Sequence, residues 1–445
     1  MAHIEPFRGI RYNARKIADL SQVIGQPYDR IDDELQQRYY EQSPYHIVRL
    51  IWGQAEPGDR PEEPDGPNVY TRAQAYYAMW RDQEVLTRES TPSIYVFHQK
   101  FTYNGQRLTR KGLICALELT PFSEGIVLPH ERTHAGPKLD RLRLTRTTQL
   151  DLGQAFILYP DAENRVNAIL DAAIDSRPPD LDAVELFEQD VRQQLWTLDD
   201  PAVIAAVQAE LAAQRGLIIA DGHHRYETAL AYRDEMRARY PNAPANAAFN
   251  FKMVTLVSMQ DPGLVILPTH REIWGWPISG VQLLERAAAL FEVVPVGNLS
   301  ECLAQMHINR RRHAIGLYAE NGFYVLVMRD PTQLEAFISG SYSVAWKSLD
   351  VSILHRIVLE QLVGLPVQAV ERQTHIRYHR DPRPAIENVE QGKSNLLFLL
   401  NPTAIEQVRA CAQAGEPMPQ KSTDFYPKMI AGLTIMPLSA DETIP

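Results

Sequence analysis

One run of five residues, at positions 221–225, combines a carboxylate, two imidazoles and a guanidinium around a glycine. Imidazole and guanidinium N–H groups bind phosphate oxygens, and a carboxylate binds Mg²⁺ or accepts the proton of an attacking hydroxyl. The run therefore predicts a phosphate site. We expect Gly222 and Arg225 to bind phosphate, and Asp221, His223 and His224 to be catalytic, with Asp221 also the metal ligand.

This run lies between a predicted strand and a predicted helix. The apolar residues 217–220 have the length and branching of a buried strand. A helical pattern starts at Tyr226, with Glu227 in its first turn. The polar residues are thus expected at the positive end of a helix, where anions bind. The alternative is that Asp221 simply caps the helix.

A second charged segment covers residues 129–147. His130 and His134 have the spacing of the zinc motif HExxH, but that motif needs a continuous helix, which Pro129 and Pro137 oppose. We expect instead an anion-binding loop whose cations neutralise phosphate charge. Its predicted members are Arg132, Lys138 and Arg141. The alternative is a solvated charged surface.

Two single residues are further candidates. Asp29 follows Pro27 in a predicted rigid turn, where it is expected to bind metal or act as a general base. Its alternative role is to cap a helix that begins near Ile31. His270 follows a predicted strand and Pro268, and it is expected to contact phosphate or to be a buried histidine at the edge of the core.

A polar segment near the carboxyl end contains two lysines and two hydroxyls within a few residues. They are Lys421, Ser422, Thr423 and Lys428, with Tyr426 between them. Such a segment can fold over a site and supply positive charge, or it can be ordinary surface.

The whole chain limits the class of protein. It has 445 residues, of which 45% are hydrophobic and 22% are charged, as in an ordinary globular protein. A net charge of −10 argues against nucleic acid as a partner. The sequence contains no apolar run long enough for a membrane span and no signal-peptide core. The three cysteines form no CxxC pair, which fits the cytoplasm. We expect a soluble cytoplasmic protein, and its oligomeric state stays open.

Alternating helical and strand patterns predict a mixed α/β fold with a mixed-sheet core. We expect a main α/β domain over residues 1–275, a smaller α+β subdomain or insertion over 276–345, and a C-terminal segment, 346–445, that packs back on the core. Asn104-Gly105 predicts a hairpin turn. The patterns also predict a helix near 181–195 and place Arg49 on a strand.

Eight runs along nearly the whole chain together resemble a prokaryotic family of unknown function, DUF1015. They are IEPFRGIRY from Ile4, QPYDRI from Gln26, SPYHIVRL from Ser43, PHERTHAGPKLDRL from Pro129, ADGHHRYETAL from Ala220, LPTHR from Leu267, LFLLNPT from Leu397 and MPQKSTDFYPKMIAGL from Met418. The family itself implies little about activity.

The strand-DGHHR-helix unit is similar to the signature of the ParB/sulfiredoxin-like superfamily, and most closely to its free-serine kinases. In those kinases the motif's acid and histidines lie at the transferred phosphate, and a separate carboxylate activates the substrate hydroxyl. The resemblance thus implies that the DGHHR residues serve a phosphoryl group. Asp29 and Glu131 are candidates for the separate carboxylate on general grounds only. Sulfiredoxin chemistry is disfavoured because this turn has no cysteine.

The sequence thus predicts a small-molecule kinase. It would use ATP or ADP with Mg²⁺ to phosphorylate a small hydroxylated metabolite, with Asp221 or Asp29 as the base. Two alternatives stay open: a non-catalytic regulator that binds a nucleotide or a phosphometabolite, and a phosphohydrolase.

Overall fold

The computed structural model describes residues 1–133, 135–320 and 322–445, and it divides into two compact units. Unit 1 contains residues 1–129, 133–265 and 427–445. Unit 2 contains residues 130–132 and 266–426. His134, half of the predicted HExxH-like spacing, lies outside the described residues. The chain leaves unit 1 after Val265 and returns to it at Pro427.

Unit 1 contains the amino-terminal helices and most of the strands. Its helices are α1 (Asp33–Gln42), α2 (Val48–Ile51), α3 (Val69–Asp82), α4 (Ala135–Thr148), α5 (Arg165–Ile174), α6 (Pro201–Ala212) and α7 (His223–Arg239). Its strands are β1 (Ile4–Glu5), β2 (Ile10–Tyr12), β3 (Leu86–Arg88), β4 (Ile94–Tyr103), β5 (Gln106–Glu118), β6 (Val127–Leu128), β7 (Leu150–Asp151), β8 (Ala155–Tyr159), β9 (Leu181–Val184), β10 (Arg192–Leu198), β11 (Leu217–Asp221) and β12 (Phe251–Ser258). Strand β13 (Val265–Ile266) spans the boundary between the units, and β21 (Met436–Pro437) belongs to unit 1.

Within the described residues, nine strands form the large sheet of unit 1. Eight follow the order β6-β11-β8-β12-β5-β4-β10-β9, and β1 pairs with β5. The sheet is mixed, because β11 is parallel to β6 and antiparallel to β8, whereas β12 is parallel to β8. These pairings bring the carboxyl end of β11 to the amino ends of β8 and β12. The predicted mixed α/β fold is confirmed.

Apolar side chains of the sheet and of the helices packed on it form the core of unit 1. Leu170 of α5, Val207 of α6 and Tyr226 of α7 lie in one buried cluster with sheet residues such as Ile219. Helix starts are set locally. For example, the Asp32 side chain accepts a hydrogen bond from Leu35 N at 2.8 Å and so caps α1.

Unit 2 is built on a separate antiparallel sheet. Its strands are β14 (His270–Ile273), β15 (Phe291–Val296), β16 (Ile315–Ala319), β17 (Gly322–Met328), β18 (Ile376–His379), β19 (Leu396–Leu399) and β20 (Phe425–Tyr426). Its helices are α8 (Gly280–Ala287), α9 (Leu299–Ile308), α10 (Leu334–Phe337), α11 (Val344–Lys347), α12 (Asp350–Ile353), α13 (Val367–Arg372), α14 (Arg383–Glu390) and α15 (Ile405–Gln413), and a π-helical segment covers Leu354–Val363. The sheet order is β15-β17-β16-β19-β14-β18.

Strands from all three predicted domains enter this second sheet. The predicted subdomain 276–345 supplies β15, β16 and β17, the segment before it supplies β14, and the C-terminal segment supplies β18 and β19. The predicted boundaries at 275 and 345 themselves stay predictions.

Two local predictions have clear outcomes. The Asn104-Gly105 hairpin is confirmed, because both residues have positive φ between β4 and β5. The helix near 181–195 is wrong: β9 and β10 occupy this region, and β10 pairs with β4 over residues 192–198. Tertiary pairing outweighs the local pattern there, since Leu181 and Ala183 are buried on either side of exposed Asp182.

Two further local predictions are also wrong. Arg49 lies in helix α2, where buried Ile47, Leu50 and Ile51 have helical spacing. The predicted loop over 129–147 becomes helix α4 from Ala135 onward. Pro137 falls in the first turn of this helix, where a missing N–H costs little.

No helix in the described part of the chain is long and apolar enough to cross a membrane. The predicted cytoplasmic location stays a prediction.

His46 gives the stability of unit 1 a pH dependence. Its Nε2 donates to Ile24 O at 2.9 Å, its Nδ1 accepts from Val48 N at 3.1 Å, and its ring stacks on Tyr39 at 4.1 Å. Burial lowers the pKa of His46 to about 3. Below pH 6.5 the unfolded chain therefore takes up a proton at His46 that the folded chain refuses until about pH 3.

We expect His46 to make the free energy of unfolding fall as the pH drops from about 6 to 4, by up to about 1.4 kcal/mol per pH unit. In urea unfolding measured at several pH values, His46→Asn should reduce the slope of the unfolding free energy against pH. The reduction should correspond to the uptake of one proton fewer on unfolding. The control, His307→Asn at an exposed position, should keep the wild-type slope. An unchanged slope in His46→Asn would contradict the assignment.

Candidate functional site

The predicted phosphate turn lies where β11 ends and α7 begins. Residues 217–220 are buried in the sheet, and a register shift in the β8 pairing falls between Ile219 and Asp221. The side chain of Asp221 is 17% exposed at this sheet end. Helix α7 starts at His223, three residues earlier than the apolar pattern predicts, so the two histidines and Arg225 occupy its first turn.

Gly222 is the N-cap of α7, and it has a φ of +90°. Glycine has no side chain that could cap the helix, and Asp221 lies one position before this N-cap. The capping alternative for Asp221 stays open. A Cβ at position 222 would lie 2.9 Å from Arg225 Nε, because the guanidinium folds back over the glycine. Both the backbone conformation and this close approach require glycine.

Asp221 faces two cations. Its Oδ1 lies 3.4 Å from Arg225 Nη2, and its Oδ2 lies 3.3 Å from Lys428 Nζ. Burial disfavours the charged carboxylate, but the positive charges of Lys428 and Arg225 outweigh it and lower the pKa of Asp221. Asp221 thus stays ionised at neutral pH, and a carboxylate with so low a pKa is a weak general base.

Arg225 connects this turn to the neighbouring strand. Its Nη1 donates to the carbonyl oxygen of Gln154, just before β8, at 2.6 Å. Burial lowers the pKa of Arg225, but the negative charges of Asp221 and Asp29 outweigh it and raise that pKa overall. Asp29 therefore lies within electrostatic range of the guanidinium. It is exposed, and Asp32 rather than Asp29 caps the following helix.

The two histidines occupy consecutive positions of the first turn of α7 and so diverge by about 100°. His223 is buried, at 5% exposure, and His224 is half-buried. The charge of His223 contributes to lowering the pKa of Asp221, so its ring is within electrostatic range of that carboxylate.

A buried ion pair that the sequence analysis missed lies at the same sheet end. Lys252 Nζ donates to both carboxylate oxygens of Asp151 at 2.6 Å, and to Gly153 O at 2.7 Å. Burial lowers the pKa of Lys252, and the negative charge of Asp151 offsets this effect only in part. A lysine at the start of the apolar strand FKMVTLVS was the one available signal.

A cavity of about 70 Å³ opens beside these groups within unit 1. Its walls are mostly apolar, and polar side chains reach it from several directions: Tyr28, Arg141, Asp151, Arg225 and Lys252. One water needs about 10–15 Å³ of such volume, so the cavity admits a small molecular group. Apolar walls with a few converging polar groups are typical of small-molecule sites.

Helix α4 carries two of the predicted cations. Arg141 lies at the cavity, with its guanidinium 4.2 Å from the centre of the Tyr28 ring, and its Nη1 donates to Ile51 O at 2.6 Å. Lys138 Nζ instead pairs with Glu227 of α7 at 2.6 Å. Arg141 therefore faces the candidate site more directly than Lys138 does.

The structure places the other two residues that were predicted to bind phosphate, Arg132 and His270, in unit 2. Arg132 is exposed there. His270 is buried, its Nδ1 accepts from Leu400 N at 3.3 Å, and burial lowers its pKa to about 4. The role of Arg132 and His270 at the phosphate turn stays a prediction.

A metal ion would need help from a ligand. The described residues contain no group of three or more His, Cys, Asp or Glu side chains that could hold one. Mg²⁺ commonly takes only one or two carboxylates together with substrate phosphates and waters. Asp29 and Asp221 fit that limited part, although Asp221 already faces two cations.

A family model described as "Protein of unknown function (DUF1015)" matches residues 4–352 of the chain. No curated protein matches it. Among solved structures, the chain is similar to a conserved hypothetical protein from Pyrococcus furiosus, with 13% identity, 72% of this chain and 94% of that chain covered, and a TM-score of 0.32.

The chain is also similar to two structures of free serine kinase. A mutant in complex with ADP is 10% identical, over 72% of this chain and 91% of that chain, with a TM-score of 0.35. The complex with AMP is 13% identical, over 72% and 90%, with a TM-score of 0.33. Similarity this low carries no argument about activity, so the site itself has to support any function.

The close approach of Arg225 to Gly222 can be tested by substitution. Gly222→Ala should lower the free energy of unfolding by about 2–3 kcal/mol, because it adds a collision with the guanidinium to the strain of positive φ. The matched control is Gly125→Ala, at a φ of +66° with open space around it, which should cost about 1 kcal/mol. Equal costs in urea unfolding would show that Arg225 does not lie over Gly222.

The buried pair Asp151–Lys252 should also be sensitive to loss of one partner. Lys252→Met leaves a buried carboxylate uncompensated and should lower the free energy of unfolding by about 3–5 kcal/mol. The comparison is Glu235→Gln, which breaks the ion pair between Glu235 and Arg146. These two side chains are 43% and 47% exposed. That change should cost less than about 1 kcal/mol. Similar costs for both variants would mean that water reaches Asp151.

Proposed function

The chain belongs to the DUF1015 family, and we propose that this member is a phosphoryl transferase that uses ATP or ADP with Mg²⁺ to phosphorylate a small hydroxylated metabolite. The observation that supports the proposal is the pairing of Asp221 with Arg225 and Lys428 at the start of α7, with Asp29 within electrostatic range of Arg225. The groups needed to bind a phosphate and to accept a proton are then present in one place, beside a cavity.

The two cations beside Asp221 suit phosphate binding because they supply positive charge at the start of α7. Their distances to Asp221, 3.3 and 3.4 Å, exceed the 2.6 Å of the Lys252–Asp151 pair. A phosphate carries more charge and more acceptor oxygens than one carboxylate, so it can recruit Lys428 and Arg225. The positive end of α7 adds to this attraction.

The proton of the acceptor hydroxyl needs a base. In the transfer, the acceptor oxygen bonds to the terminal phosphorus, the bond from that phosphorus to the nucleotide's bridging oxygen breaks, and the hydroxyl proton leaves. Asp221 is held ionised by its two cations and is a weak base. In this proposal Asp29 takes the proton, and Asp221 positions Arg225 and Lys428. Mg²⁺, when bound with the nucleotide, supplies further neutralisation of phosphate charge.

The cavity supports a small acceptor. Its volume of about 70 Å³ is well below the several hundred Å³ of a pocket for a drug-sized ligand. Since one water needs about 10–15 Å³ on this measure, the space holds about five waters, which suits a small metabolite. We therefore assign the cavity to the acceptor, with Arg141 and Tyr28 at its wall.

The second candidate is a non-catalytic protein that binds a nucleotide or a phosphometabolite. The double pairing of Asp221 favours it, because a carboxylate neutralised on both sides contributes to a stable binding site without entering a reaction.

Turnover separates these two functions. We expect the purified chain with Mg²⁺ and ATP or ADP to form a phosphate ester with at least one metabolite of a hydroxylated panel, detected by mass spectrometry. Asp29→Asn should lower kcat by about 10²–10⁴-fold, because the base is lost. The nucleotide should still raise the melting temperature of this variant. Absence of turnover together with nucleotide stabilisation would favour the binding function.

The phosphate turn has a separate test. Lys428→Met should weaken nucleotide binding by about tenfold or more, since one charge-assisted contact is removed. The control is Lys16→Met, at an exposed lysine, which should bind as the wild type does. If Lys428→Met and Arg225→Gln both keep the wild-type affinity, the turn does not bind phosphate.

A further inference from the structure

Arg271 of unit 2 carries a buried charge without a carboxylate beside it. It lies in strand β14, at the end of the LPTHR run, and is 1% exposed. Its guanidinium donates to the carbonyl oxygen of Thr269, and to that of Lys421 at 2.8 Å. No Asp or Glu within residues 1–133, 135–320 and 322–445 forms an ion pair with it, and burial lowers its pKa.

Carbonyl oxygens satisfy N–H groups, but they do not neutralise a full charge. Burial lowers the pKa of Arg271 only to about 10, so the guanidinium is still charged at neutral pH. An isolated buried charge is unfavourable unless an opposite charge accompanies it. This arrangement therefore favours a ligand that brings a negative charge.

Three buried polar atoms without a partner belong to this guanidinium and to two side chains near it. Among the described residues, Arg271 Nε, Tyr378 Oη and His355 Nε2 are buried and have no hydrogen-bond partner. The Tyr378 ring centre lies 5.5 Å from the guanidinium carbon, and His355 is within electrostatic range of Arg271. Buried polar groups in proteins are nearly always hydrogen-bonded, so an unpartnered guanidinium nitrogen with two further unpartnered atoms near it points to a shared ligand.

We propose that Arg271, Tyr378 and His355 bind a small oxyanion in unit 2, a carboxylate or phosphate group held by N–H and O–H donors. The planar guanidinium matches the geometry of such an oxyanion. His355 acts as a neutral donor through Nε2–H, because burial lowers its pKa well below the usual value. This site is independent of the phosphoryl transfer proposed for unit 1.

The proposed site also lies at the junction of two distant segments. Leu267 N donates to Asp424 O at 2.8 Å, and Arg271 Nη2 reaches Gln420 O at 3.4 Å as well as Lys421 O, so the buried guanidinium is one of the links between the LPTHR and MPQKSTDFYPK runs. Neutralising that side chain removes the charge penalty from the whole junction. Binding of the oxyanion should therefore stabilise unit 2.

The test is binding of inorganic phosphate and of acetate to the full chain, with chloride at equal ionic strength as the reference. We expect phosphate or acetate to raise the melting temperature above that in chloride, and the stronger of the two identifies the ligand group. Tyr378→Phe should weaken this binding by about tenfold in equilibrium dialysis, because it removes a hydrogen bond to a charged ligand. Without the oxyanion, the variant should be at least as stable as wild type, since it loses a buried hydroxyl that has no partner.

Two controls make the outcome specific. Tyr318→Phe removes a hydroxyl that donates to Glu390 elsewhere in unit 2, and it should bind like wild type. Lys428→Met, which removes the lysine paired with Asp221 in unit 1, should keep the Tyr378-dependent binding. The inference is overturned if chloride stabilises as well as phosphate and acetate do, if neither oxyanion binds, or if binding depends on Lys428 and not on Tyr378. Failure of phosphoryl transfer with Tyr378-dependent binding intact would affect the proposed function alone.

Discussion

The rest of the unit 1 site depends on one constraint, which is that the buried guanidinium of Arg225 needs opposite charge and hydrogen-bond acceptors around it. A side chain that is 10% exposed and fully charged needs opposite charge and acceptors close by, or burial would be too costly. Asp221 and the Gln154 carbonyl supply them, and Gly222 has no Cβ because the guanidinium occupies that space. The position of this one cation therefore accounts for two other residues of the turn, the acid at 221 and the glycine at 222.

The same sheet end concentrates further charge. Asp151 and Lys252 lie where the amino ends of β8 and β12 meet, next to the wall of the cavity. Their pair is short and buried, whereas the distances from Asp221 to Lys428 and Arg225 are longer. Tight pairs hold an architecture in place, and loose pairs can exchange partners when a ligand arrives. On this basis Asp151 and Lys252 stabilise the fold around the site, whereas Asp221, Arg225 and Lys428 are the groups that could contact a ligand.

Sequence reasoning succeeded where the interactions are local. The strand-turn-helix order, the glycine at its corner and the hairpin at Asn104-Gly105 all depend on neighbours within a few residues. It failed where partners are remote: Lys428 lies 207 positions from Asp221, and Lys252 lies 101 positions from Asp151. The strands β9 and β10 were likewise assigned to a helix, because their pairing with β4 leaves little trace in the local pattern. The sequence thus predicts which side chains could act, but it does not predict the distant residues that they pair with.

The return of the chain to unit 1 at Pro427 has a consequence for biosynthesis. Asp221 and Arg225 leave the ribosome about two hundred residues before Lys428, and the whole of the segment 266–426 must be synthesised in between. Since domains fold as their residues emerge, unit 1 has to persist without its final strand and without one cation of the turn. The nascent chain would hold Asp221 without Lys428, and the candidate site would be completed only after residue 428 has been synthesised.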